Sequence, residues 1–381
     1  MEDVVGVSAQ TSTGLFGGAY KGRRVLVTGH TGFKGSWLCE WLLAMGAEVA
    51  GYALEPPTEP SLFDELGLAG RMALHCIGDV RDLDASRAVV AEARPEIVFH
   101  LAAQPLVRLS YDQPLETYAT NVMGTVNILE AVRGCASVRA VVNVTSDKCY
   151  ENLETGQAYK ESDPMGGWDP YSSSKGCSEL VTAAYRRSFF GPGSAVALAS
   201  ARAGNVVGGG DWALDRIVPD CVRALAAGQP VVVRSPEAVR PWQHVLEPLS
   251  GYLLLGSRML AGGHATDGPW NFGPEESGTV RVRDVVDALV ESWGSGSWQA
   301  SQGSAPQAHE AKLLALDIAK AKAGLGWAPL YGVERTLRVT AAWYGRRHGG
   351  ADVGDLTRAD IDEYVAEGRN AAAVWTRTVS V

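Results

Sequence analysis

The sequence predicts an α/β protein: a doubly wound parallel sheet, with a smaller mixed α/β lobe toward the C-terminus. Three observations point there. Short β-branched runs alternate with helical patterns over the first half of the chain. The first of these runs ends directly in a glycine-rich turn. The 381 residues also exceed the roughly 250 to 300 at which single cores stop growing.

Composition narrows the class further. With 46% hydrophobic and 20% charged residues, the chain has the make-up of a globular protein, neither disordered nor fibrous. A net charge of -9 argues against a nucleic-acid groove, since neutralising phosphates needs clustered Lys and Arg. The longest apolar runs fall short of the roughly 18 residues a bilayer span requires. Residues 1–20, rich in Gly, Ser and Thr, lack a basic start followed by an apolar block and read as a flexible polar tail. No membrane partner is expected. Six single cysteines, with no CxxC pair and no metal-ligand spacing to the seven histidines, read as reduced cytoplasmic thiols, and no metal is expected.

The elements follow in order. Residues 24–28 form the first strand, and Gly29-His30-Thr31-Gly32-Phe33-Lys34-Gly35 leads from it into a helical pattern. There Trp37, Leu38, Trp41, Leu42 and Met45 recur at intervals of three and four. In a strand–turn–helix order, glycines at 29, 32 and 35 give a tight turn, close approach of backbone to a pyrophosphate, and close helix packing. A glycine turn without ligand is the alternative. Residues 48–52, 73–77 and 96–101 read as the next three strands, with a helix over 84–93. An acid at the end of the second strand ordinarily receives the adenosine ribose of NAD. Tyr52, Ala53 and Leu54 stand there instead, which weakens the preference for NAD over NADP without reversing it. Asp79 and Val80 follow the third strand; Asp79 either meets the adenine ring or caps a helix or turn.

A long helix is expected over 111–133, from Leu115, Tyr118, Val122, Val126, Leu129 and Val132. Inside it, Asn121 either bonds near the cofactor or is a satisfied core amide. The strand at 138–144 runs into Thr145-Ser146-Asp147-Lys148-Cys149-Tyr150. Polar groups at a strand's carboxyl end lie where open α/β sheets bind ligands, whereas an isolated Asp-Lys pair is ordinarily a surface ion pair. After Asp169-Pro170, the apolar positions Leu180, Val181, Ala184 and Tyr185 suggest a helix on which Tyr171 and Lys175 share one face. A lysine charge beside a tyrosine stabilises the phenolate and makes it a base toward a hydroxyl; the bland alternative is a packed Tyr and a solvated Lys. Residues 195–201 are a sixth strand. The glycine-rich loop 202–212, with Asn205 and Trp212, either folds over a ligand or simply connects. Beyond it, Arg216, Arg234, Arg240, His244 and Arg283 are candidates to hold a diphosphate, with surface solvation the default for each arginine. Residues 295–306 read as an exposed loop. The division is thus 21–205 for the main domain and 206–381 for the smaller lobe, some of whose segments return to the main domain.

The glycines at 29, 32 and 35, then His100-Leu101-Ala102-Ala103, Ser146, Tyr171 and Lys175, met in this order, resemble the extended short-chain dehydrogenase/reductase family. Five blocks look like its CDP-glucose 4,6-dehydratase subgroup. They are GHTGFKG at 29–35; Pro56-Pro57-Thr58 with Pro60-Ser61-Leu62-Phe63; Ser146 through Asn152; Asp163-Pro164-Met165-Gly166-Gly167; and Arg240-Pro241-Trp242-Gln243-His244-Val245. The match runs from Gly22 to Gly345. The resemblance implies a Rossmann sheet binding NAD through Gly29, Thr31, Gly32, Phe33, Gly35, Asp79, Val80, Leu101, Ala102, Ala103, Asn121, Tyr171 and Lys175. It implies CDP-glucose as substrate, met by Gln104, Asn205, Trp212, Arg216, Arg234, Arg240, His244 and Arg283.

The implied reaction has three steps. Tyr171, helped by Lys175 and Ser146, takes the proton of the carbon 4 hydroxyl while hydride passes to NAD+. Water is then lost across carbons 5 and 6, and hydride returns to carbon 6. Asp147 and Lys148 stand where related dehydratases carry an Asp-Glu pair, so Asp147 is read as the acid. Lys148 is either a base of strongly lowered pKa or a charge that stabilises the enolate. Family members usually pair through two long helices, implying a homodimer held by a four-helix bundle. An epimerase or reductase acting on a sugar nucleotide is the alternative; it needs no acid and base beside Ser146.

Overall fold

The computed structural model describes residues 12–275, 279–301 and 314–377. Its strands are β1 Arg24–Thr28, β2 Glu48–Ala53, β3 Leu74–Ile77, β4 Ile97–His100, β5 Ala140–Val144, β6 Ala197–Ala203, β7 Asn205–Val207, β8 Val231–Val233, β9 Val239–His244, β10 Gly268–Phe272, β11 Thr279–Arg281 and β12 Trp298–Ala300. Seven of them form one parallel sheet in the order β10-β6-β5-β4-β1-β2-β3. Successive side chains leave a strand on opposite faces. Leu26 of β1 accordingly packs with Val89, Val90, Ile128 and Leu129, and its neighbours Val25 and Val27 pack with Trp37, Trp41 and Leu253. Strands covered on both faces have to be apolar throughout. β4 and β5 are buried along their whole length and apolar except at His100 and Asn143, and β6 (ALASARA) is equally buried in spite of its weak β propensity.

Strand order reverses between β1 and β4, whose register sets Thr28 opposite His100. Gly29 and Leu101 therefore leave adjacent strands at one level, at the kind of crevice where open α/β sheets receive ligands. The smaller strands are mixed: β9 pairs parallel with β7 and antiparallel with β11, and β8 pairs with β12. Among the described residues no helix is long and apolar enough to cross a membrane, and no group of three or more His, Cys, Asp or Glu residues could hold a metal ion.

Several expectations are corrected. Residues 1–11 of the expected tail lie outside the described residues, but 12–20 are packed. Phe16 stacks on Trp375 with 5.5 Å between ring centres, and the Tyr20 hydroxyl donates to the Leu253 carbonyl at 2.6 Å. These anchors from the far end of the chain bury what composition alone made look like a tail. The helix expected over 111–133 is broken: Val107–Asp112, Pro114–Tyr118, a π-turn at Ala119–Met123, then Gly124–Arg133. Pro114 cannot continue a preceding helix, and π-turns are a common irregularity near functional sites. Within 295–306, Trp298–Ala300 is a strand paired with β8, while 302–306 lie outside the described residues.

Candidate active site

The turn after β1 is shaped for close approach. Gly29 has φ +74°, and a Cβ there would stand 2.7 Å from the Ala102 nitrogen; one on Gly35 would stand 2.1 Å from the Gly29 carbonyl oxygen. Only glycine fits at either place. The 12-residue helix Phe33–Ala44 then begins at Gly32 with no side chain capping it, so its first N–H groups are left to an anionic ligand. Thr31 donates to the Leu54 carbonyl at 2.8 Å, tying the turn to the end of β2. Leu101 and Ala102 are anchored through Thr28: the Leu101 amide donates to its carbonyl and the Ala102 amide to its hydroxyl. A backbone cradle beside an uncapped helix start fits a dinucleotide pyrophosphate. Gly29, Gly32 and Gly35 build that cradle, with Thr31 and Phe33 in the same turn and Ala103 continuing the facing segment.

At the far end of the crevice, Tyr52 fills the place expected for an acid, its hydroxyl donating to the Asp79 carbonyl at 2.7 Å. The Asp79 carboxylate accepts the Arg81 amide at 2.9 Å and pairs with the Arg81 guanidinium, which holds its pKa below the usual carboxylate range. Of the two readings of Asp79, the turn is the one these bonds draw. Val80 is buried against Gly124. Asn121 lies in the π-turn; its amide donates to the Gln104 carbonyl and to the Ser174 hydroxyl, and its oxygen accepts the Gln104 amide. Gln104 commits both side-chain hydrogens, to the Leu106 carbonyl and the Thr117 hydroxyl. These bonds hold its own turn.

The reacting groups converge from two elements. Following β5, Ser146 donates to Asp147 at 3.0 Å and accepts the Lys148 amide at 3.2 Å; the Lys148 amine stands 3.8 Å from the buried Asp147 carboxylate. The helix Pro170–Ser188 is capped by Asp169, which accepts the Ser172 amide at 2.9 Å, with Pro170 in its first turn. Its first turn aims Tyr171 at Ser146. Burial pushes the Tyr171 phenol up to about 12, against a Ser146 hydrogen bond that favours the phenolate; Asp147 raises it further and Arg216 lowers it. Lys175 lies one turn on, but its amine points to the Val144 carbonyl at 3.5 Å. Burial lowers it to about 8. The expected pairing of Lys175 with the phenol is thus not the contact this structure shows, and Ser146 stands nearest to that role.

Sequence reading missed what supports this helix. Its buried face carries Tyr171, Ser174, Lys175, Ser178, Glu179 and Thr182, whereas Leu180, expected on the apolar face, is 60% exposed. Glu179 accepts from Thr145 at 2.5 Å, Ser200 at 2.7 Å and Arg202 at 2.8 Å. Arg202 also donates to the Tyr150 hydroxyl at 2.7 Å. The signal was available: Glu179 continues the four-residue spacing of Tyr171 and Lys175.

The substrate candidates are scattered. Arg216, paired with Asp211 at 2.8 Å, lies near enough to act on the Tyr171 phenol. Arg234 pairs with Asp215 at 2.5 Å, and Arg283 with Glu237 at 2.8 Å. The Arg240 guanidinium donates to the Val239 carbonyl. Asn205 opens β7 opposite Trp242. Trp212 packs edge-on against Tyr344, with Arg347 over its ring. His244 has no exposed surface; its ring lies among Trp37 and Tyr331, and burial lowers its pKa to about 3. A neutral ring brings no positive charge to a diphosphate.

A nucleotide cradle, a Tyr-x-x-x-Lys helix facing Ser146 and a mixed second lobe define an extended short-chain dehydrogenase/reductase protein. Residues 26–340 match the family model described as GDP-mannose 4,6 dehydratase, and the chain belongs to that family. It is 51% identical over 352 residues, 91% of this chain and 97% of the relative, to the CDP-glucose 4,6-dehydratase of Salmonella typhimurium (strain LT2). A dTDP-glucose 4,6-dehydratase structure from Streptomyces venezuelae, with NAD bound, is 26% identical and superimposes with a TM-score of 0.69; the match covers 86% of this chain and 98% of that one. The UDP-glucose 4-epimerase of Thermus thermophilus, in complex with NAD, gives 26% and 0.69, covering 84% and 98%.

Proposed function

We propose that the protein is an NAD-dependent sugar-nucleotide 4,6-dehydratase that converts CDP-glucose to CDP-4-keto-6-deoxyglucose. One observation carries the reading: Ser146 and Asp147 lie beside Tyr171, with the Lys148 amine 3.8 Å from Asp147, in a chain that is 51% identical, nearly end to end, to a CDP-glucose 4,6-dehydratase. When bound, NAD accepts hydride from carbon 4 and returns it at carbon 6. Tyr171, hydrogen-bonded by Ser146, takes the carbon 4 hydroxyl proton, and Lys175 supplies the positive charge that favours the phenolate. The carbonyl formed at carbon 4 acidifies the carbon 5 proton. Asp147, buried beside Ser146 and Lys148, protonates the departing carbon 6 hydroxyl. Lys148 removes the carbon 5 proton as a neutral amine or, charged, stabilises the enolate while a water or another group takes that proton; carbon 5 regains a proton as hydride reaches carbon 6. Arg216 is the arginine placed to meet the diphosphate or the sugar.

With CDP-glucose and substoichiometric NAD+, the expected product is a 4-keto-6-deoxy sugar, seen by its alkali-induced absorbance, with no net NADH. Stoichiometric NADH would indicate a simple dehydrogenase, and an epimerised sugar that keeps its oxygen at carbon 6 would indicate the epimerase reading.

We also propose a homodimer. Leu115 (83% exposed), Met123 (51%) and Leu180 lie on the two helical segments that pack side by side, where Tyr118 donates to Ser173 at 3.2 Å. Joined with a second copy they would form a four-helix bundle. Leu115→Glu combined with Leu180→Glu should halve the mass found by sedimentation equilibrium, and an unchanged mass rejects this interface. The six cysteines, all unpaired, fit a reducing, cytoplasmic setting.

A further inference from the structure

Arg108 has no part in the site described above, yet it reaches the loop that carries Arg216. It projects from the helix Val107–Asp112, which follows the Leu101–Ala103 cradle and packs against the helix Pro170–Ser188. Among the described residues its one ion-pair partner is Asp215, whose Oδ1 lies 3.5 Å from the guanidinium. The same oxygen accepts from Arg234, the residue after β8, at 2.5 Å. Two arginines from different parts of the fold thus converge on a single carboxylate oxygen. Arg234 also donates to the Asp215 carbonyl at 3.4 Å and lies 3.8 Å from Asp220, which Arg223 engages, while Arg216 is taken up by Asp211. Four arginines therefore meet three carboxylates here, and Asp215 is the carboxylate that Arg108 and Arg234 share.

The loop that carries Asp215 is held at its start and free at its tip. The Tyr344 hydroxyl and Arg216 hold Asp211, and Arg223 donates to the Trp212 and Ala213 carbonyls at 3.0 and 3.4 Å. Beyond them Leu214 is 68% exposed, and Asp215 takes φ +61°, a conformation that a non-glycine residue keeps only where its surroundings hold it. The Arg234 hydrogen bond first, then the charges of Arg234, Arg108 and Arg223, keep its carboxyl below the usual range against partial burial, so it is ionised at neutral pH. An exposed carboxylate pair is weak, whereas a phosphate offers more charge and more oxygens to the planar fork of an arginine. Position agrees with this chemistry. A sugar whose carbon 4 hydroxyl meets Tyr171 carries its diphosphate on carbon 1, across the ring. Arg216 acts on that phenol, and Asp215 is the residue beside it.

We propose that Asp215 stands in for a substrate phosphate: Arg108 and Arg234 converge on its carboxylate, and the diphosphate of the sugar nucleotide takes that place between them. Asp215 then turns out to solvent at the exposed tip of its loop, while Arg216 keeps its pairing with Asp211 beside the sugar. The exchange leaves neither arginine without an anion at any stage. Arg108 becomes a diphosphate ligand from the side of the cofactor cradle and Arg234 one from the side of the smaller sheets, so the bound nucleotide ties the two sides together. Asp215 is the competitor that returns as product leaves, and it trades some affinity for release.

The inference deepens the sugar-nucleotide reading and rests on it. Its probes are CDP and cytidine, titrated into the NAD+-loaded protein at neutral pH and fixed ionic strength, with NAD+ affinity as the check that each variant is folded. Asp215→Asn keeps the shape and removes the competing charge, so CDP should bind about three- to tenfold more tightly. Arg108→Gln and Arg234→Gln each remove a charged donor, and CDP should bind about ten- to a hundredfold more weakly. Cytidine, which has no phosphate, should bind all four proteins alike. Opposite shifts in Asp215→Asn and Arg108→Gln are the signature, because a pair that only bridged the fold would be lost equally in both and would move CDP in one direction. The inference is overturned if Asp215→Asn leaves CDP affinity unchanged or weakens it, if Arg108→Gln does not weaken it, or if cytidine shifts as much as CDP. Should UDP or dTDP bind in place of CDP with the same opposed shifts, the choice of CDP-glucose fails and this inference stands. If no nucleoside diphosphate binds, both fall.

Discussion

Tyr171→Phe is expected to lower turnover by about 10²- to 10⁴-fold, the range typical of a lost general base. The ring is buried at the start of its helix, and the substitution keeps that packing while removing the one atom on which Ser146 acts. Folding and dinucleotide affinity should therefore be nearly unchanged, and the loss should appear in kcat and not in KM. The pH profile adds a second check. Burial raises the phenol to about 12, so the neutral form dominates and the rate should climb with pH as the phenolate fraction grows. In the proposed reaction Lys175 helps only while protonated, and burial has lowered it to about 8. The kcat/KM profile should accordingly turn down near there. Near-normal turnover in Tyr171→Phe would remove this residue from the reaction.

Asp147→Asn and Lys148→Met should block elimination while sparing oxidation, with overall turnover falling by a similar 10² to 10⁴-fold, roughly the worth of a positioned acid or base. In the proposed reaction neither residue is needed until the carbonyl exists at carbon 4. Both variants should form enzyme-bound NADH on rapid mixing with substrate and then stall. Asparagine keeps the shape of Asp147 but has no acidic proton to give, and methionine keeps the Lys148 stem without its amine. Exchange of the carbon 5 proton with heavy water distinguishes the two roles of Lys148. If it is the base, Lys148→Met accumulates NADH without exchange. Exchange at the unmodified rate would leave it the electrostatic role.

Most of the sheet was legible because its signals are local. A β-branched run ending in glycines, followed by tryptophans and leucines at helical spacing, determines strand, turn and helix together, and Gly29 and Gly35 lie where that pattern put them. What escaped depends on partners distant in sequence. Phe16 and Tyr20 look like tail residues until Trp375 and Leu253 cover them. His244 reads as a ligand contact because histidines in a polar block usually are exposed, and here aromatic rings enclose it.

The polar buried face of the helix Pro170–Ser188 has a consequence for precision. Apolar contacts tolerate small rotations and slides, because hydrophobic burial has no direction. Here the helix is held by directed bonds: Asn121 to Ser174 at 2.8 Å, Thr125 with Ser178 at 2.9 Å, Asn143 to Thr182 at 2.7 Å, and the Glu179 carboxylate to three donors. Turning the helix by a few degrees would strain several of these at once, and an unmade buried bond is costly. The azimuth of the helix, and with it the aim of the Tyr171 oxygen one and two turns upstream, is indexed by a row of hydroxyls. In the proposed reaction the same sugar has to be held from withdrawal of the carbon 4 hydroxyl proton until hydride arrives at carbon 6, and that row is a reference that does not drift between the two events.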